Sequence, residues 1–228
     1  MTGLVVAVVG PDGTGKSTIV RRLPDLLGGS VKTVYAGDNP EAGDGMLPTT
    51  RLLWWHRRRT HGPPVHGPPP IERPPRRSLA RRSLTAPVSV FLLANQCAEE
   101  WARLRRASRW AAAGNLVVLD RSYLHDYWHH DIEAVDRSPL QRVHGFWLEH
   151  VLPRADLTIV LDAPPEVLFA RKPEGTLAAV ARRRAEYAHL EHLCAATVVV
   201  DVARPLAEVE AAVLDTIRGR LVDGSAGG

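Results

Sequence analysis

Residues 10–18 read Gly-Pro-Asp-Gly-Thr-Gly-Lys-Ser-Thr, with Gly10, Gly15, Lys16 and Ser17 on the spacing G-x-x-x-x-G-K-[ST]. That spacing suits polyphosphate. Glycines let the backbone close around phosphate oxygens with successive N–H groups pointing inward. A helix beginning near Gly15 would aim its positive dipole end at the same anion. Lys16 is expected to reach β- and γ-phosphates, and the Ser17 hydroxyl to ligate Mg²⁺. Gly10, Asp12, Gly13, Thr14, Gly15, Lys16, Ser17 and Thr18 are therefore the candidate ATP contacts. Lysine occurs at 16, 32 and 172 alone in a chain with 29 basic residues, so its place in this loop is notable.

Three apolar runs end in aspartate, at Asp120, Asp162 and Asp201. A carboxylate at such an end can hold Mg²⁺ or orient an acceptor. Asp120 is followed by Arg121, which pairs a metal-side carboxylate with a phosphate-binding guanidinium. Asp120 is thus expected to join Ser17 at the metal, and Arg121 to act beside it. Asp162 precedes Ala163-Pro164-Pro165-Glu166, which reads as a helix start, so a capping role is expected there. Asp201 reads as a cap too. Asp38 follows another run and could accept a hydroxyl proton or close its own turn. His125 and His129 stand four apart, which reads as a polar helix face beside the acceptor cleft rather than a metal pair.

Elements must bring these groups together. Leu4–Val9 is a continuous, β-branched apolar run, the pattern of a strand buried on both faces. Similar runs cover 31–36, 115–120, 157–162 and 197–202. Helical stretches are expected at 16–27, 84–112, 138–150, 164–170, 177–195 and 205–220. The alternation predicts one α/β domain over 1–228, a doubly wound parallel five-stranded sheet with helices on both faces. Ligands of such sheets bind at the strand C-terminal edge.

Composition limits the alternatives. Apolar residues are 45% and charged residues 24%, ordinary globular values. No apolar run approaches the ~20 residues of a membrane span, and the apolar start lacks a basic flank, so it reads as a strand rather than a signal peptide. Cys97 and Cys194 alone make no disulfide framework, and a cytoplasmic location is the default expectation. The net charge of +4 is local, because residues 51–82 carry nine Arg and one Glu. This segment is a basic, Pro-rich insertion, with Pro63, Pro64, Pro68, Pro69, Pro70, Pro74 and Pro75 blocking helix. Its Trp54, Trp55 and arginines could stack bases and neutralise phosphates, but the locality of the charge argues against nucleic acid as the main partner. A flexible tail is expected at 223–228.

The loop, the segment Val117-Val118-Leu119-Asp120-Arg121, and Leu161–Val167 followed by Arg171-Lys172 and the Arg-rich 181–187 together resemble the thymidylate kinase family of P-loop nucleoside and nucleotide kinases. The resemblance covers most of the chain except 38–82. It implies that Asp12 reaches the acceptor's sugar hydroxyl and that Arg121 holds an acceptor phosphate. Arg171 and Lys172 would act from a lid at 171–177, with Arg171 alternatively stacking on adenine. Arg204, in the loop after the last strand, would lie near the adenine. The family's Phe-x-x-x-Asp-Arg helix corresponds to Phe91-Leu92-Leu93-Ala94-Asn95-Gln96. A neutral amide there binds a phosphate dianion less well than a guanidinium, so Asn95 and Gln96 either read a base or hydroxyl or are ordinary buried amides. Residues 37–41 and 122–127 also depart from the family's Arg-Glu-Pro and Ala-Tyr-Gln patterns. The function implied is γ-phosphoryl transfer from Mg·ATP to a thymidylate-type nucleoside monophosphate. A nucleoside, sugar or other hydroxyl metabolite is the alternative acceptor, and a nucleic-acid-binding ATPase the weaker one. The resemblance also implies a homodimer formed through helices, while the lack of a long apolar run leads to the expectation of no membrane partner.

Overall fold

The central strands, Leu4–Val9, Leu116–Asp120 and Leu157–Asp162, are almost wholly apolar and must be covered on both faces, and this sets the architecture. The computed structural model describes residues 3–28, 30–37, 46–61, 79–189, 194 and 196–226. The five apolar runs form β1 (Leu4–Val9), β2 (Val31–Tyr35), β3 (Leu116–Asp120), β4 (Leu157–Asp162) and β5 (Thr197–Asp201). All pair in parallel, in the order β2-β3-β1-β4-β5. This is the doubly wound five-stranded sheet expected from the alternation.

The helices are α1 (Lys16–Leu27), α2 (Pro48–His61), α3 (Leu79–Ala112), α4 (Tyr123–Tyr127), α5 (Pro139–His150), α6 (Pro165–Arg171), α7 (Leu177–His189) and α8 (Leu206–Ala226). A π-helical turn, Trp128–Glu133, continues α4. α2 lies where no helix was expected, and α4 with its π turn falls at the helix face read from His125 and His129. α8 runs past residue 223, where the tail was expected to begin. Asp38 and residues 62–78 of the basic insertion lie outside the described residues. No described helix is long and apolar enough to cross a membrane.

Alternation along β1 divides the core. Val6 and Val8 face one layer with Ile159 and Leu161 of β4 and with Ile19, Leu23, Leu168, Val213 and Ile217, drawn from α1, α6 and α8. Ala7 and Val9 face the other, with Val117 and Leu119 of β3 and with Leu104, Ala107, Leu148 and Tyr187, drawn from α3, α5 and α7. Each fully buried aliphatic side chain stabilises the fold by about 1.5–3 kcal/mol. From β1 the chain goes to the edge strand β2, returns inward through β3, and crosses β1 to β4 and β5, so the direction of winding reverses beside β1. Ligand crevices form at such a switch point. Register places Asp120 opposite Val8 and Tyr35, and Asp162 opposite Asp201.

Candidate active site

The loop between β1 and α1 is closed by its own backbone. Gly10 has φ 144° and Gly13 φ 89°. A Cβ on Gly10 would run into the Leu161 carbonyl oxygen, and one on Gly13 would sit 2.7 Å from the Leu168 oxygen. Glycine is needed at both positions. Gly15 is the N-cap of α1 and receives the Thr18 and Ile19 N–H groups at 3.0 Å. Thr14 donates its hydroxyl to the Pro11 carbonyl at 2.9 Å. The Lys16 ammonium donates to the same carbonyl at 2.7 Å and is 4% exposed. Burial first, and the neighbouring Arg121 second, push its pKa down to about 8.

Ser17 donates its hydroxyl to Asp120 Oδ2 at 2.9 Å. The other oxygen, Oδ1, is buried and has no hydrogen-bond partner among the described residues. A buried carboxylate oxygen without a donor is costly unless a cation or water meets it. Next to it Arg121 takes φ 78°, a left-handed backbone that a non-glycine residue rarely adopts. Its N–H donates to the Val8 carbonyl at 3.1 Å, which ties the turn to β1. Gly37 leaves room for this arginine, since a Cβ there would collide with Arg121 Cδ.

Cations surround Asp12. Arg121 Nη2 lies 3.0 Å from its Oδ1, Lys16 Nζ 3.7 Å away, and Lys172 Nζ 3.9 Å from Oδ2. Burial opposes its ionisation, but Lys16, Arg121 and Lys172 outweigh burial and hold its pKa below the usual value. Arg121 also faces Asp126 Oδ1 at 3.9 Å, and Arg183 faces the same oxygen at 3.8 Å. The Tyr187 hydroxyl donates to it at 3.0 Å. Asp126 is 9% exposed. It therefore links the end of β3 to α7. Burial raises the Tyr187 pKa, with Asp126 adding to it, so the phenol stays protonated.

On the other side of the loop a cleft is lined by Gly13, Gly15, Thr18, Arg171, Val202 and Arg204. Arg171 is fixed there by donating to the Val202 carbonyl at 2.8 Å. Residues 171–177 are exposed and join α6 to α7 through Gly175, with Lys172 also 3.1 Å from Glu174.

The expectations for the acceptor side divide. Phe91 is 53% exposed on α3. Asn95 donates to the Thr50 hydroxyl at 2.9 Å and so joins α3 to α2. Gln96 donates to Glu100 Oε1 at 3.0 Å and lies 3.3 Å from His144 Nε2. Asp162 does not cap α6, whose N-cap is Pro164 without a side-chain bond. Arg184 takes Asp162 instead, in a bidentate pair at 2.8 Å. The arginine lies 22 residues downstream, out of reach of any local pattern. Asp201 closes its own loop by accepting the Ala203 N–H at 2.9 Å. His125 is not on a polar face. It is 3% exposed, parallel to the Tyr187 ring, and burial pushes it down to about 4. The change from α4 to the π turn separates it from His129, which pairs with Glu133.

Asp126, Tyr187 and Gly37 are site residues for which the sequence pointed to no individual role, and Arg183 entered only within the Arg-rich stretch 181–187. The Arg183–Tyr187 spacing of one helical turn was the available signal. The guanidinium lies 5.3 Å above the ring.

No family model matches this sequence, and no curated protein does. Among solved structures, the thymidylate kinase from Ehrlichia chaffeensis has a similar fold, with a TM-score of 0.52 and 12% identity over 95% of this chain and 100% of that one. At that identity the likeness speaks for the shared P-loop kinase-like fold alone.

Proposed function

We propose that this chain is an ATP-dependent phosphotransferase that moves the γ-phosphoryl group to a small acceptor. The observation that carries the reading is the Ser17–Asp120 contact under the phosphate loop, with Asp120 Oδ1 buried and unpartnered. An all-oxygen pair with an open carboxylate oxygen fits Mg²⁺. Ser17 and Asp120 would hold it, and bound magnesium would neutralise charge on the β- and γ-phosphates.

The chain's own residues do the rest. The loop amides and the start of α1 receive the polyphosphate, and Lys16 exchanges the Pro11 carbonyl for phosphate oxygens. The cleft beside Arg171 and Arg204 takes the base. Lys172, at the start of the segment 171–177, closes with its neighbours over the γ-phosphate as a lid and excludes water. Arg121, pinned by Asp12 and Asp126, presents a guanidinium to the acceptor side. Asp12 is released from its cations as phosphate arrives and turns to the acceptor hydroxyl. Little covalent chemistry is asked of the protein, because phosphoryl transfer is chiefly positioning and charge stabilisation.

The acceptor proposed is a nucleoside monophosphate of the thymidylate type. It is supported by the fold likeness and by Arg121, suited to a phosphate dianion. A hydroxyl acceptor without a phosphate is a second reading, favoured by Gln96, whose amide is engaged with Glu100 and His144.

ADP release from Mg·ATP over nucleosides, nucleoside monophosphates and sugars tests both. The first reading expects turnover with a monophosphate, and a KM for it that rises about a hundredfold in Arg121→Ala. Turnover with a nucleoside or sugar, insensitive to Arg121→Ala, would replace it with the second. No acceptor-dependent release at all would end the kinase reading.

A further inference from the structure

His144 of α5 is 2% exposed and its two ring nitrogens have different partners. Nδ1 meets Asp131 Oδ2, from the π turn, at 2.6 Å. Nε2 lies 3.1 and 3.2 Å from the two oxygens of Glu100, itself 2% exposed. Carboxylates accept, so each nitrogen carries a proton and the ring is an imidazolium; burial opposes that charge, but Asp131 and Glu100 outweigh it. Gln96 donates to the same Glu100 carboxylate at 3.0 Å. Two buried carboxylates need a positive centre beside them, and between Nε2 and Glu100 a metal ion can take the place of the proton.

Cys97 completes the group. It stands three residues before Glu100, on the same face of α3. Its sulfur, a Glu100 oxygen and a His144 nitrogen all lie within 4.8 Å of one another. Ligands of a tetrahedral zinc ion are about 3.3–3.8 Å apart, from bond lengths of about 2.0–2.3 Å. Small rotamer adjustments would bring the three together. We propose that Cys97, Glu100 and His144 form a site for a zinc-class divalent ion that fastens α3 to α5.

Thiolate and imidazole select zinc or a similar late first-row ion, whereas magnesium prefers oxygen alone. Asp131 is the outer partner, fixing the tautomer and orientation of His144 as carboxylates do for metal-bound histidines. With three protein ligands the fourth position is left for water or the Gln96 carbonyl. None of these groups is a proposed ATP or magnesium contact, so this inference stands or falls separately from the kinase reading.

The test is zinc binding by the full chain after removal of metals with a chelator. One zinc per chain is expected by elemental analysis, with a Kd of about 1 µM or tighter. With Co²⁺ in its place a thiolate-to-metal absorption band should appear. Cys97→Ala should abolish the band and weaken zinc at least about a hundredfold, and Asp131→Asn should weaken it about 10–100-fold. Cys194→Ala and His129→Ala should change neither. Absence of stoichiometric zinc, a band that follows Cys194, or unchanged affinity in Cys97→Ala would overturn the proposal. Circular dichroism of Cys97→Ala, which removes one half-buried sulfur, confirms that a loss is not unfolding.

Discussion

Asp120 and Asp162 end neighbouring strands on either side of β1, and both close an apolar run with the same residue. Their surroundings differ. Asp162 is held by two guanidinium nitrogens of Arg184 at 2.8 Å. Asp120 receives one serine hydroxyl and keeps a buried oxygen with no described partner. The position in the sheet makes both candidates for the same chemistry. Availability separates them: a carboxylate already neutralised by its own chain has nothing left for a ligand, while Asp120 is incomplete without one.

Substitutions at these strand ends should fall in order. Asp120→Asn is expected to lower kcat by about 10²–10³-fold with the melting temperature nearly unchanged, since Asp120 has no ion pair among the described residues to lose. Equal loss in Asp162→Asn would break the comparison. Asp162→Ala instead should cost about 1 kcal/mol of stability in denaturant unfolding, the modest value of a partly exposed pair, with activity within about tenfold. Asp201→Asn should change stability by less than about 0.5 kcal/mol, because it leaves an exposed loop intact in outline.

Between these lies a pH effect from the residue beside Asp120. Lys16 must be cationic to hold phosphate, and its pKa is lowered to about 8. The rate constant kcat/KM for ATP should therefore fall above pH about 8, roughly tenfold per unit, in the free enzyme. The stability consequence has the opposite sign. Between pH 8 and the ordinary lysine value of 10.5 the unfolded chain binds this proton more strongly, so this group makes the fold more stable as pH rises through that window. Lys16→Met should remove both dependences.

Much of the scaffold was legible because the central strands, buried on both faces, have no polar alternation to confuse them, and the edge strands β2 and β5 are still rich in β-branched residues. Their bounds match the apolar runs within a residue, and the loop follows from residue type and spacing alone. The failures were of other kinds. α2 is rich in Arg and Trp and shows little apolar period, so it read only as the edge of an insertion. The π turn after α4 broke the four-residue spacing on which the histidine reading relied. Asp162 was assigned to the prolines next to it, because Arg184 is near only after α7 has packed. Asp126, Tyr187 and His144 gained their partners the same way, across elements far apart in the chain. Local pattern tells which carboxylates reach the sheet edge, and packing decides which one remains open.

The most direct measurement is the affinity for a non-hydrolysable ATP analogue, with and without magnesium, in the natural chain, Asp120→Asn and Asp162→Asn. The account predicts that magnesium tightens binding in the natural chain and in Asp162→Asn, and does so far less in Asp120→Asn. Binding that ignores magnesium in all three, or no binding in any, would contradict it.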